Sequence, residues 1–233
     1  MKSATLILLP GLLCDAALWK PQMETLKDCA ECMVPDLTQQ DSMAAMAQAV
    51  LARAPQRFAL AGLSLGGYVA FEIMREAPER VMRLCLLDTW ARPDTPELTQ
   101  RRQTLLKMAR EGNFKGVTAL LLPHFIHASR IEDAELTGII LGMAERVGPE
   151  AFVRQETAMI NRPDSRPLLP LIRCPVQVIG GRQDVLTPPE MMSEMADAIP
   201  GARLDILQDC GHLTTLEKPE QVSELMRKWL TAD

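Results

Sequence analysis

Residues 62–66 read Gly-Leu-Ser-Leu-Gly, with Ser64 midway between two glycines. Such a serine either spends its oxygen on nearby backbone, as turn serines do, or is a nucleophile presented on a tight turn. A serine hydroxyl attacks poorly at neutral pH, so the second use demands a base. The chain has three histidines: His124, His127 and His212. Only His212, in Asp209-Cys210-Gly211-His212-Leu213, follows an apolar run of strand type. The imidazole in turn needs a carboxylate to hold its tautomer. Asp184 follows the run Val176–Ile179, Asp88 follows Val81–Leu87, and Asp209 stands three residues before His212. Together these groups could carry acyl transfer.

The surrounding elements must bring these distant groups together. Thr5–Leu9, Cys32–Val34, Phe58–Ala61, Val81–Leu87, Val176–Ile179 and Leu204–Leu207 are short apolar runs that predict strands. Helical patterns lie between most of them: Asp15 to Lys27, Ser42 to Arg53, Leu65 to Ala77, Pro189 to Ala198 and Pro219 to Leu230. Alternation of this kind predicts an α/β fold, a mostly parallel sheet with helices on both faces. Ser64 then sits between a strand and a helix. Gly62 and Gly66 remove side chains that would clash in so sharp a turn, and the Leu65 N–H falls at a helix N-terminus, where partial positive charge favours an oxyanion.

One interval breaks the alternation. Residues 92–166 lack a strand pattern but contain helical ones, at Glu97 to Arg110 and Ala151 to Ile160, punctuated by Gly112, Pro123 and Gly148-Pro149. This predicts a helical cap (92–166) inserted into a core made of residues 1–91 and 167–233. Residues 93–166 carry ten Lys/Arg and ten Asp/Glu, so the whole formal charge of -5 lies outside that stretch. A neutral, arginine-containing cap with Arg101 and Arg102 suits an anionic substrate or acidic carrier, although mixed charge is also ordinary helix surface. Trp90, His124, Phe125 and His127 are candidates for a substrate pocket, or for plain packing.

With 233 residues, 47% hydrophobic and 24% charged, the chain can bury a core unaided. Its acidic balance gives no reason to expect nucleic acid or an anionic membrane as partner. Six scattered cysteines, mostly in apolar runs, fit reduced thiols and a cytoplasmic location. Cys29-Ala30-Glu31-Cys32 leads into Met33-Val34-Pro35 rather than opening a helix, so redox chemistry is not expected. The N-terminal MKSATLILLPGLLC superficially resembles a lipoprotein signal, but Leu13 and Pro10-Gly11 favour a first strand.

From Leu6-Ile7-Leu8-Leu9-Pro10-Gly11, through GLSLGG and GGRQDVLTPP, to CGHLTTLEKPEQV, the chain resembles the α/β-hydrolase superfamily, in particular its compact esterase-like members with a helical cap. Those include pimeloyl-carrier methyl ester esterases and enol-lactone hydrolases. The resemblance implies the chain order serine, acid, histidine, which selects Ser64, Asp184 and His212. It also implies an oxyanion hole from the N–H groups of Leu65 and Leu12, with Pro10 standing where many relatives have histidine. The implied activity is hydrolysis of a small to medium ester, lactone or thioester through an acyl-enzyme, with neither metal nor cofactor. The partners implied are a small-molecule ester and an acyl carrier protein. Serine at position 64 argues against the branches that use aspartate there to open epoxides or displace halide. Carbon-carbon bond hydrolysis and ligand sensing with little turnover are the alternatives.

Overall fold

Each apolar run becomes a strand in the computed structural model of the protein, which describes residues 4–114 and 121–232. The strands are β1 (Ala4–Leu9), β2 (Ala30–Met33), β3 (Phe58–Leu63), β4 (Val81–Leu87), β5 (Val176–Gly181) and β6 (Arg203–Leu207). They form one sheet in the order β2-β1-β3-β4-β5-β6, with every neighbouring pair parallel. The chain leaves β1 for β2 on one side, then crosses back to place β3 on the other. The loops after β1 and β3 therefore diverge and open a crevice at the carboxyl ends of the strands, where open α/β sheets bind ligands.

The helices are α1 (Lys20–Leu26), α2 (Met43–Arg53), α3 (Leu65–Glu76), α4 (Pro96–Arg110), α5 (Ala134–Ile160), α6 (Pro189–Ala198), α7 (Thr214–Glu217) and α8 (Pro219–Thr231). Side chains alternate along each strand. Ile7, Leu9 and Leu60 enter one buried cluster with α2, α3 and α6, while Leu6, Leu8 and Ala61 enter another with α1 and α8. Burial on both faces explains why the central strands read as unbroken apolar runs. Ser42 caps α2 by accepting from the Ala45 N–H at 3.2 Å. Asp15 accepts from the Ala17 N–H at 2.9 Å, but it opens a 3-10 turn (Ala16–Trp19) ahead of α1 rather than one continuous helix.

Between β4 and β5 stand α4, 3-10 turns at Leu122–His124 and Ala128–Arg130, then α5 and a 3-10 turn at Arg166–Leu171. Residues 115–120 of the expected cap, with Lys115 of its charge tally, lie outside the described residues. Helix α5 begins seventeen residues before the expected Ala151 and bends at Gly148, whose φ of 74° and ψ of 178° interrupt two helical segments. Pro149 opens the second segment, where its missing N–H costs nothing. The first segment sends Leu136, Ile140 and Met143 to the α1/α8 side, and the second sends Ala158 and Met159 to the α3 side. The bend lets one helix straddle the sheet's carboxyl edge. Among the described residues no helix is long and apolar enough to cross a membrane.

Candidate active site

Ser64 lies at the junction of β3 and α3 with φ 55° and ψ -115°. A non-glycine residue in such a region costs on the order of 1–3 kcal/mol and persists only where its surroundings enforce it. Three contacts enforce it here. The Ser64 N–H donates to the Leu87 carbonyl at 3.0 Å, and the Ser64 carbonyl accepts from the Gly67 N–H and from Thr89 Oγ1, each at 2.9 Å. The two glycines are required by close approach. A Cβ on Gly62 would stand 2.4 Å from the Gly66 carbonyl oxygen, and one on Gly66 would stand 2.2 Å from that of Leu9 in β1. The Ser64 side chain makes no capping bond to α3, so its hydroxyl is not spent as a turn serine's would be.

The His212 ring is buried, and its Nδ1 lies 2.8 Å from Asp184 Oδ2. Asp184 is held in turn by the N–H groups of Leu186 (2.8 Å) and Thr187 (3.0 Å) and by Thr187 Oγ1 at 2.5 Å. Burial disfavours the imidazolium, but the charge and hydrogen bond of Asp184 outweigh it and the His212 pKa is raised. Burial works against the ionised Asp184 as well, and here the His212 charge and hydrogen bond, with those from Thr187, bring the carboxyl below its ordinary value.

Asp88 and Asp209, the competing carboxylates, are placed differently. Asp88 is fully buried and accepts from the Gly181 N–H (3.0 Å), the Thr214 N–H (3.3 Å) and Thr214 Oγ1 (2.5 Å), tying β5 to the loop that carries His212. Burial, with the neighbouring Asp184 charge, pushes its carboxyl well above the usual range. Asp209 sits in the turn after β6 with φ 50°.

Ser64 and His212 both line one cavity of about 170 Å³, walled mainly by apolar side chains including Leu12, Leu98, Leu105, Ile140, Met143 and Met159. Trp90 and Phe125 line it too. His124 is exposed and absent from the lining; the His127 ring meets Ser129 Oγ at 2.8 Å, also away from the cavity. These two histidines are thus not brought to this space, whereas Phe125, between the 3-10 turns that carry them, lines it.

Leu65 opens α3, so its N–H has no partner one turn back within the helix. Leu12 lines the cavity in a turn closed by the Cys14 N–H to the Gly11 carbonyl at 3.2 Å. Leu13 holds φ 57° there, and its N–H donates to buried Gln155 Oε1 at 3.1 Å, while Gln155 Nε2 donates to the Leu37 carbonyl at 3.1 Å. Gln155 is a support that sequence reasoning missed.

Glu217 is another. Its buried carboxylate accepts from the Gly211 N–H at 2.9 Å and the His127 N–H at 2.7 Å, and the Phe125 carbonyl accepts from the N–H groups of His212 (2.9 Å) and Leu213 (3.1 Å). Thus three of these hydrogen bonds join the helical insertion to the histidine loop and the helix after it, and the fourth holds Glu217 to that loop. Glu217 stands five residues after His212 among threonines, a lysine and another glutamate, so nothing local in the sequence singles it out.

Among the described residues no group of three or more His, Cys, Asp and Glu side chains is arranged to hold a metal ion. All six cysteines are free, and burial raises the thiols of Cys29 and Cys32.

A family model described as the alpha/beta hydrolase family matches residues 6–225. The pimeloyl-[acyl-carrier protein] methyl ester esterase of Neisseria meningitidis (serogroup C / serotype 2a) is 30% identical over 193 residues, covering 80% of this chain and 74% of the relative. A thermophilic esterase from Thermogutta terrifontis, solved with malate bound, superposes with a TM-score of 0.91 at 33% identity, covering 98% of this chain and 90% of that one. The enol-lactonase from Burkholderia xenovorans LB400 gives a TM-score of 0.88 over 98% and 92% of the two chains, and at 24% identity it speaks to the fold alone.

Proposed function

The chain belongs to the alpha/beta hydrolase family, and from that premise we propose that it is a serine hydrolase of carboxylic esters. The observation that carries the proposal is the strained turn at Ser64, which lines the same cavity as His212, with Asp184 hydrogen-bonded to the His212 ring. A strained backbone at a cavity wall is a cost that a merely structural serine gives no reason to retain.

In this mechanism His212 Nε2 takes the proton from Ser64 Oγ as the oxygen attacks the ester carbonyl. Asp184 stabilises the resulting imidazolium and fixes the proton on Nδ1. The N–H groups of Leu65 and Leu12 receive the oxyanion. His212 then protonates the departing alcohol, and water, deprotonated by the same ring, releases the acid and restores Ser64. The insertion between β4 and β5 acts as the cap, its residues Leu98, Leu105, Ile140, Met143 and Met159 forming the acyl wall. Trp90 and Phe125 contribute to that pocket; His124 and His127 do not.

Small carboxylic esters are the first substrate class, given a cavity of about 170 Å³ with apolar walls. The name of the Neisseria relative supports a second, an acyl ester delivered on a carrier protein. A panel of p-nitrophenyl esters of increasing chain length, assayed beside Ser64→Ala, tests the reading: turnover that falls off with chain length and vanishes in the variant is expected. Tight binding of the esters without turnover would instead support a ligand sensor.

A further inference from the structure

The cavity is apolar except at two places. One is the His212 end. The other is formed by Arg101 and Arg102 of α4 with Glu156 of α5. Their charges are unequally committed.

Arg102 is engaged on two sides. Its Nε lies 2.7 Å from Asp94 Oδ2 and its Nη1 lies 2.9 Å from Glu156 Oε2, with the side chains of Asp94 and Glu156 almost wholly buried. Asp94 also meets Arg162 Nη1 at 2.6 Å. Two arginines and two carboxylates thus form a closed, electrically balanced quartet. Burial disfavours the charge on Arg102, but Glu156 and Asp94 overcome this and raise its pKa. Burial also raises the carboxyl of Glu156, against the opposing charge of Arg102.

Arg101 is the preceding residue on the same helix. It lines the cavity and is exposed, and among the described residues no carboxylate lies within ion-pair distance of it. Glu97, one turn earlier on α4, makes no ion pair with it; its carboxyl pKa is lowered instead by its own backbone N–H and Thr95. Glu156 is bound to Arg102, and Asp184 is bound to His212 and does not line the cavity. One guanidinium therefore has no ion-pair partner of its own: Glu156 feels its charge but is bonded to Arg102, and the remaining wall is mainly apolar. A guanidinium is shaped to take a carboxylate on two parallel N–H groups.

Resting on the hydrolase reading, we propose that Arg101 is an anion-recognition residue. The substrates favoured are then half-esters of dicarboxylic acids, with the free carboxylate on Arg101 and the ester carbonyl at Ser64. Arg102 does not share this role, because its Nε and Nη1 are already directed to Asp94 and Glu156. The carboxylate would supply the charge that the protein leaves unmatched.

The test compares kcat/KM for monomethyl esters of five- to eight-carbon dicarboxylic acids with methyl esters of the matching monocarboxylic acids. Wild-type protein is expected to prefer the half-ester by about tenfold or more at one chain length. In Arg101→Gln the ratio should collapse to within about twofold of unity through KM, and Arg101→Lys should retain part of it. Arg110→Gln, an exposed substitution at the end of α4 away from the cavity, should leave the ratio intact. Equal rates on both esters in wild type, or a preference that survives Arg101→Gln, overturns the proposal. Calorimetry with adipate and hexanoate separates this from the hydrolase reading. Adipate should bind wild type about tenfold more tightly than hexanoate and lose that advantage in Arg101→Gln, whether or not any ester is turned over. Equal affinity of the two acids overturns the anion site, whereas selective adipate binding without hydrolysis overturns the enzyme reading and leaves the site standing.

Discussion

His212 Nδ1 lies 2.8 Å from Asp184 Oδ2, both side chains buried, on loops that follow two adjacent strands, β6 and β5. The pairing raises the pKa of the ring. Because the ring must be neutral to accept a proton from Ser64, a raised pKa moves the loss of activity to higher pH. The profile of kcat/KM should therefore rise through a midpoint above about 6.5. Asp184→Asn should lower that midpoint and reduce kcat by about 10⁴-fold, the scale associated with losing the tautomer-holding carboxylate. A pH-rate profile on both proteins checks this, and an unshifted midpoint would place the pair outside the rate-limiting chemistry.

Asp88 is expected to behave unlike Asp184 although both follow strands. Its oxygens satisfy two backbone N–H groups and the Thr214 hydroxyl, all buried. Asp88→Ala should leave those donors unpaired and destabilise the protein by about 1–3 kcal/mol, more if no water enters. Urea unfolding should show a lower midpoint at an unchanged slope. The loss in kcat should be smaller than for Asp184→Asn, since Asp88 acts through the loop rather than on the ring.

Two glycines of the chain make opposite predictions. Gly66→Ala would bring a Cβ to 2.2 Å from the Leu9 carbonyl, against backbone that cannot yield, so a loss of about 1–3 kcal/mol or more is expected. Gly138, exposed within α5, has nothing within 4 Å of its would-be Cβ, so Gly138→Ala should stabilise by up to about 1 kcal/mol. Thermal melts of the two variants should shift in opposite directions.

Glu217 joins the histidine loop to the helical insertion through the Gly211 and His127 N–H groups. Glu217→Ala should lower both stability and kcat. Glu217→Gln retains one acceptor oxygen and should recover part of each. Amide exchange at Gly211 and at His127 should accelerate together in the alanine variant; acceleration at one alone would show that the two segments are not coupled through this side chain.

The strands and the strand-to-helix turn at Ser64 were legible because they rest on local signals: apolar runs bounded by Gly or Pro, and glycines at fixed offsets. The start of α5 was not, because Ala134 to Val147 splits its apolar residues between the core and the insertion and so blurs a single-faced pattern. Gln155 and Glu217 are legible only in three dimensions. Gln155 bonds Leu13 and Leu37 from more than a hundred residues away, and no local spacing encodes such a contact. The same holds for His124 and His127, whose placement depends on which way short 3-10 turns face. Arg101 and Arg102 read alike in sequence, and only the positions of Asp94 and Glu156 distinguish the engaged guanidinium from the one without an ion-pair partner.

The central claim is that Ser64 is a nucleophile activated by His212. The direct measurement is intact-protein and peptide mass spectrometry after treatment with a fluorophosphonate, which traps activated serine oxygens. One adduct per chain is expected, on the peptide containing Ser64, absent in Ser64→Ala and formed at least about 10²-fold more slowly in His212→Ala. Labelling at another residue, or at Ser64 with a rate indifferent to His212, would contradict it.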